Sequence, residues 1–371
     1  EVGPGFRTSR TGALRLTLEY FYMKKTLIAL AVLAASGASF AQVTISGNLA
    51  MGYRATTTGA VGASSDAAGL GVDTSEIDFA ATEDLGGGMK ATAKLALAGA
   101  DRSGESGAST TGNGAVTGRD ATLTLQTNAG ALVLGSVQAA DYLSGAQGLT
   151  AGFAGVGAYY NGWDGKVLSA RTNRDTVTYI VPVGAVSLFA SYQEGATGAV
   201  NGVPQGLGTG TTGSGTAGQA SYTGQSLTVW GATYAKGAAN ANFTYLNFNS
   251  NVGATKSQTR LSGNYDFGAV KLGLGGVVTA SDAGVGGKAT DLLLGLSAPM
   301  GALTLGAEFV QRKIDDVAFT GQGIGTLTGS SLQATYALSK RTAVIGNYAR
   351  WTAVNGNDAS SQFNLLLSHS F

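Results

Sequence analysis

Few residues in this sequence could carry covalent chemistry. It has no cysteine and one histidine, His369, two residues from the end. Thiol catalysis, disulfide frameworks and cysteine-based metal sites are excluded. A Ser-His-acid relay would have to be built around His369, which sits on the apolar parity of "SSQFNLLLSHSF" and reads as an interface residue. "GATKS" (253–257) lacks the glycine before Lys256 and the helix that a phosphate loop requires. "GQGIGT" (321–326) has no strand–helix–strand unit around it. No His/Cys grouping has zinc-ligand spacing. The residue types predict no enzyme, no cofactor and no dedicated metal centre, with calcium held between loops by carboxylate pairs as an open alternative.

The remaining chemistry is electrostatic, carried by charges set one residue apart from apolar side chains. In "QTRLSGNYDF", Leu261, Tyr265 and Phe267 alternate with Arg260, Ser262, Asn264 and Asp266. "KLGLGGVVT" puts Leu272, Leu274 and Val278 on one face and Lys271 on the other. "LTLGAEFVQR" sets Leu303, Leu305 and Phe309 against Glu308 and Arg312, and "MKATAKLAL" sets Met89, Leu95 and Leu97 against Lys90 and Lys94. Period two over such lengths predicts β-strands with one greasy and one wet face.

Composition says where those faces lie. Charged residues are 12% of the chain, about half of ordinary usage, and glycine stands at 59 of 371 with only four prolines. No 18-residue apolar run exists outside the leader to make a membrane helix. A transmembrane β-barrel accounts for low charge without apolar spans, because each strand shows lipid only at every second residue. A glycine-rich secreted solenoid or sandwich is the competing fold, and no fixed short repeat supports it.

The start of the chain agrees with export. Met23-Lys24-Lys25, the apolar stretch Leu27 to Ala35 and the small-residue site before Gln42 predict a signal peptide over 23–41. Residues 1–22 read as an upstream non-native extension, with a genuine longer leader as the alternative, and 42–371 as the barrel. Residues 1–41 hold five basic and two acidic residues, so the net charge of +1 becomes −2 without them. That balance predicts no nucleic-acid partner.

Seven short turns, at 84–88, 128–130, 182–184, 236–238, 267–269, 299–301 and 338–340, alternate with eight longer connections. The latter fall near 57–71, 101–117, 138–170, 195–224, 251–256, 281–288, 313–328 and 352–360. Together they predict an all-β fold of sixteen antiparallel strands. Both ends lie on the short-turn side, so 361–371 pairs with "QVTISGNLAMGYR" and leaves Phe371 at the lipid interface.

"TEDLGGGMKATAKL" (82–95), "NRDTVTYIVPVG" (173–184), "YALSKRTAVIGNY" (336–348) and the terminal Phe371 resemble the general trimeric porins of Gram-negative bacteria, those of β-proteobacteria above all. The resemblance implies a homotrimer in the outer membrane. Its third external loop, here 138–170 with Asp141 and Asp164, would fold into the lumen as a constriction facing basic wall residues. It also implies outer-membrane lipid, lipopolysaccharide and the assembly machinery as partners, with Phe371 as the assembly signal. Arg119 and Arg174 match wall arginines of the family. Simple alternation puts Arg119 on the lipid side, so it needs a bulge or a strand start. The chain departs from the family at Glu76, Ala80 and Ser136, where basic residues are usual, so the resemblance leaves the sign of ion preference open.

The expected function is passive diffusion of small hydrophilic solutes and ions through a water-filled pore. The expected lumen charges are Arg54, Lys90, Lys94, Arg174, Arg260, Lys271 and Arg312 against Glu76, Asp78, Asp266, Asp291 and Glu308, plus Asp141 and Asp164 on the loop. Arg174, Glu76 and Asp141 stand first among them. A substrate-specific channel is one alternative, hinted at by Trp230, Tyr234 and Phe189 on parities that could face inward. A barrel serving as adhesin or structural anchor is the other.

Overall fold

The computed structural model describes residues 42–60, 63–98, 117–139, 172–193, 226–248, 255–281, 287–315, 324–352 and 360–371. The expected leader and extension lie outside them.

The described residues form sixteen strands. The first six are β1 (Gln42–Ala60), β2 (Ala63–Gly86), β3 (Met89–Ala98), β4 (Thr117–Thr127), β5 (Gly130–Ala139) and β6 (Thr172–Val183). Then come β7 (Val186–Gln193), β8 (Leu227–Lys236), β9 (Ala239–Phe248), β10 (Thr255–Asp266) and β11 (Lys271–Ser281). The last five are β12 (Lys288–Met300), β13 (Leu303–Ile314), β14 (Gly325–Ala337), β15 (Thr342–Trp351) and β16 (Ser360–Ser370). Each pairs antiparallel with its sequence neighbours, and β1 pairs with β16, so the sheet closes into a barrel with no free lateral edge. Closure is what a sheet in hydrocarbon needs, since an open edge would leave N–H and C=O groups without partners.

The seven expected short turns are all in place. Gly237 and Gly301 sit at φ 59° and 64°, the left-handed region that only glycine enters cheaply. The turn at 338–340 has no such glycine; there Ser339 Oγ accepts from the backbone N–H groups of Arg341 and Thr342, at 3.1 and 3.0 Å. One expected loop is corrected. Residues 57–60 and 63–71 are not a loose connection: β1 runs on to Ala60 and β2 begins at Ala63, paired down to Ala60↔Ala63.

Burial is inverted relative to a soluble protein. On β10, Arg260 is 8% exposed and its neighbour Leu261 is 61% exposed. The pattern repeats for Asp291 against Leu292, Glu308 against Phe309, and Asn364 against Phe363 and Leu365. At these positions apolar side chains point out and polar ones in, as a barrel in lipid around an aqueous interior requires. No helix among the described residues is long and apolar enough to cross a membrane; the crossing is made by strands.

The seam between β1 and β16 ends in a lock. Gly47 N–H donates to Phe371 O at 3.0 Å, and Phe371 N–H donates to Gly47 O at 3.1 Å. The phenyl ring lies over Gly47, where an added β-carbon would meet both the ring and the Glu76 carbonyl oxygen at 2.5 Å.

Candidate functional site on the inner wall

Alternation delivers the polar side chains of β10–β16 and β1–β4 to the inside, and cross-strand register decides which of them touch. Arg312 on β13 lies opposite Asp291 on β12. The guanidinium grips the carboxylate through both oxygens, Nε to Oδ1 at 2.6 Å and Nη2 to Oδ2 at 2.8 Å. Their side chains are 7% and 1% exposed, so the pair is enclosed. Two strands away, Arg260 lies along its own strand and donates to Gln258 Oε1 at 3.2 and 2.6 Å, while Gln258 Nε2 donates to Thr279 Oγ1 at 3.1 Å. Glu308 is buried on the same inner face of β13.

A second group lies on β1–β3. Lys94 Nζ is 3.7 Å from Asp78 Oδ1, and Glu76 stands two positions further along β2 on the same face. Arg54 Nη2 donates to Asp73 Oδ1 at 2.5 Å, and Arg54 Nε donates to Asn364 Oδ1 at 2.9 Å. From Asn364 an amide track continues round the wall: Asn364 Nδ2 lies 3.5 Å from Asn347 Oδ1, and Gln362 Nε2 lies 3.4 Å from Asn364 Oδ1.

Three of the expected basic residues therefore face an acid at close range, and the two sets do not stand as separate poles. Asp73 was not among the expected residues. Its odd number puts it on the lipid-facing parity of Ile77 and Phe79, but the register slips there: Ala50 faces Thr74 and Met51 faces Val72, leaving Asp73 as the extra residue of a bulge. A carboxylate on a lipid parity is itself the signal for such a slip, because charge on that face is costly. Arg119 carries the same signal, and β4 answers it. Leu95 pairs with Ala121 and Leu97 with Gly118, so Arg119 and Asp120 together oppose Ala96.

Other expected residues are not drawn together. Lys90 lies near the short-turn rim opposite Gln126. Lys271 begins β11 beside Asp266, whose carboxylate instead accepts from Gly268 N–H at 2.8 Å in the turn. Arg174 lies two positions before Thr176 on β6, in register with Val137. The side chains of Arg119 and Arg174 lie outside the described residues, as do Asp141 and Asp164.

The aromatic hint is corrected. Trp230 and Tyr234 face out, Trp230 being 57% exposed, and of the three only Phe189 turns inward, its ring over Gly231. Phe189 packs there with Leu227, Val229, Leu246 and Phe248, an apolar patch on the inner face of β7–β9. Thr228 and Trp230 alternate with Leu227 and Val229, so both parities of β8 carry a large apolar residue and spacing alone could not choose between them.

Several inner-wall oxygens, Asn242 Oδ1, Thr244 Oγ1, Ser331 Oγ and Gln333 Oε1, have no hydrogen-bond partner among the described residues. In a dry interior each would cost about 1–3 kcal/mol, so the wall calls for water. His369 is on the outer side, its Nδ1 2.9 Å from Thr342 Oγ1.

This architecture is shared with solved channels. The anion-selective porin of Comamonas acidovorans superimposes with a TM-score of 0.62 at 20% identity, over 89% of this chain and 100% of that one. The outer-membrane channel DcaP of Acinetobacter baumannii gives 0.63 at 15% identity, over 90% and 98%. OmpF of Salmonella typhi, in complex with daunomycin, gives 0.62 at 15%, over the same shares. No curated protein matches the sequence. The family model for Gram-negative porins matches residues 26–356. Because that match runs from the expected leader through β15, the chain belongs to the Gram-negative porin family.

Proposed function

We propose that the inner wall is the sieve of a passive pore in the outer membrane, and that its paired charges leave ion preference weak. As a Gram-negative porin with a closed strand barrel, the protein is a multi-pass outer-membrane channel through which small hydrophilic solutes and ions diffuse. The observation that carries the sieve reading is the inverted burial of charge: the buried charges and amides are on the inside, alongside an apolar patch on β7–β9, while leucines and aromatics cover the outside. A polar, water-demanding bore passes hydrated solutes and excludes lipid-like ones by solvation cost alone. Nothing in this mechanism needs catalysis, a cofactor or energy coupling.

Three finer elements belong to the same reading. The connection 138–170 folds into the lumen, with Asp141 and Asp164 facing Arg119 and Arg174. Three copies assemble, as in the solved trimer form of Vibrio cholerae OmpT, a protein of the same fold at 14% identity. Phe371 is recognised by the assembly machinery, and the finished trimer sits among lipid and lipopolysaccharide.

Planar-bilayer recording on refolded residues 42–371 tests the reading. Openings are expected in groups of three with a reversal potential near zero in a salt gradient. Deleting residues 145–165 is expected to enlarge each step. A folded barrel that never conducts would overturn the pore and promote the adhesin or anchor reading. The aromatic support for a substrate-specific channel is reduced to Phe189.

A further inference from the structure

We propose that Asp73, delivered to the lumen by the bulge in β2, is the residue that holds back anion preference in this pore, by cancelling Arg54. The proposal rests on the diffusion-pore reading.

The two side chains are unequally covered. Arg54 is 24% exposed and Asp73 only 3%, with the ion pair closed between Nη2 and Oδ1 at 2.5 Å. A passing ion therefore meets the guanidinium, while the carboxylate behind it removes most of its field. Thr74 Oγ1 donates to Asp73 Oδ2 at 3.0 Å and Asn364 Oδ1 accepts from Arg54 Nε, so both groups are fixed from neighbouring positions.

The surroundings give an ion room to approach. A hollow of about 350 Å³ opens here, lined among others by Gly52, Thr56, Gly69 and Gly71 together with Arg54 and Asp73. Register sets Gly52 beside Gly71 and Arg54 beside Gly69, so at these two positions β2 puts no side chain between the guanidinium and the hollow. A β-carbon added at Gly69 would meet nothing within 4 Å. With the Asp73 carboxylate neutral, the positive charge of Arg54 would be less compensated over this hollow, and chloride would be drawn toward it. With the native carboxylate, the hollow is open and the guanidinium facing it is countered by Asp73.

The test is the reversal potential of single channels in a tenfold potassium chloride gradient, read for the native chain, Asp73→Asn, Arg54→Gln and the double substitution. Asp73→Asn is expected to raise the chloride-to-potassium permeability ratio roughly twofold or more. Arg54→Gln is expected to lower it by a similar factor, and the double substitution, neutral again, to return it close to native. A purely structural pair would alter stability without this reciprocal movement. Conduction by Asp73→Asn with an unmoved reversal potential would overturn the proposal. Should that variant fail to fold, an unmoved Arg54→Gln channel would overturn it equally. Absence of conductance in the native barrel would overturn the pore reading itself, a result distinct from an unshifted but conducting channel.

Discussion

A guanidinium held by both oxygens of a carboxylate, as Arg312 holds Asp291, keeps two costly ions on an enclosed wall because each satisfies the other. Removing one partner strands the second, whereas replacing both by apolar groups need not cost stability. Asp291→Asn is therefore expected to destabilise the barrel by on the order of 3 kcal/mol, and Asp291→Leu with Arg312→Met to recover most of the loss. The shift of the heat-modified gel band with temperature measures both. Equal losses in the single and double variants would show that the pair is not the source. The residue types of this wall were legible in the sequence; their partners were not. Arg54, Lys94 and Arg312 could be placed inside by parity, but Asp73 could not, since one extra residue in β2 reverses the parity of everything before it.

At the scale of the strand, each residue faces one of two solvents, and the same substitution has opposite consequences on the two faces. Leu294 lies midway along β12 with its side chain outward, 49% exposed. Leu294→Lys is expected to cost about 2–4 kcal/mol, the range for a basic residue at the bilayer midplane. Thr124, inward on β4 between Thr92 and Val133, is a fair control. Thr124→Lys is expected to leave stability nearly unchanged and to alter conductance instead. Refolding yield and urea unfolding in defined bilayers separate the two, and equal costs would contradict the assignment of faces. The strands themselves and their short turns were readable, because period two and turn residues are local signals. The run Leu365-Leu366-Leu367 was not decisive on its own terms: Leu366 is buried inside against Ile345, while its neighbours face out.

Closure belongs to the whole molecule. The first and last strands meet across the full length of the sequence, from Asn48↔Ser370 to Thr57↔Ser361, and the lock at Gly47 and Phe371 finishes the seam. Gly47→Val should force the ring or the Glu76 carbonyl aside and so lower the temperature at which the folded band is lost. Phe371→Ala placed on top should relieve only the part due to the ring, because the carbonyl clash is with backbone. A Gly47→Val barrel as heat-resistant as the native one would show that the seam has slack. The sequence by itself determined the class, the strand number and the polarity of most faces, since alternation, turn residues and low charge are properties of neighbours along the chain. Only the tertiary structure decided that Arg54, Lys94 and Arg312 each face an acid, that Asp73 and the patch around Phe189 lie inside, and that residues 57–60 and 63–71 extend the β1–β2 ladder. Those depend on register between strands, and a slip of one residue there is invisible to local pattern yet reverses which solvent a side chain meets.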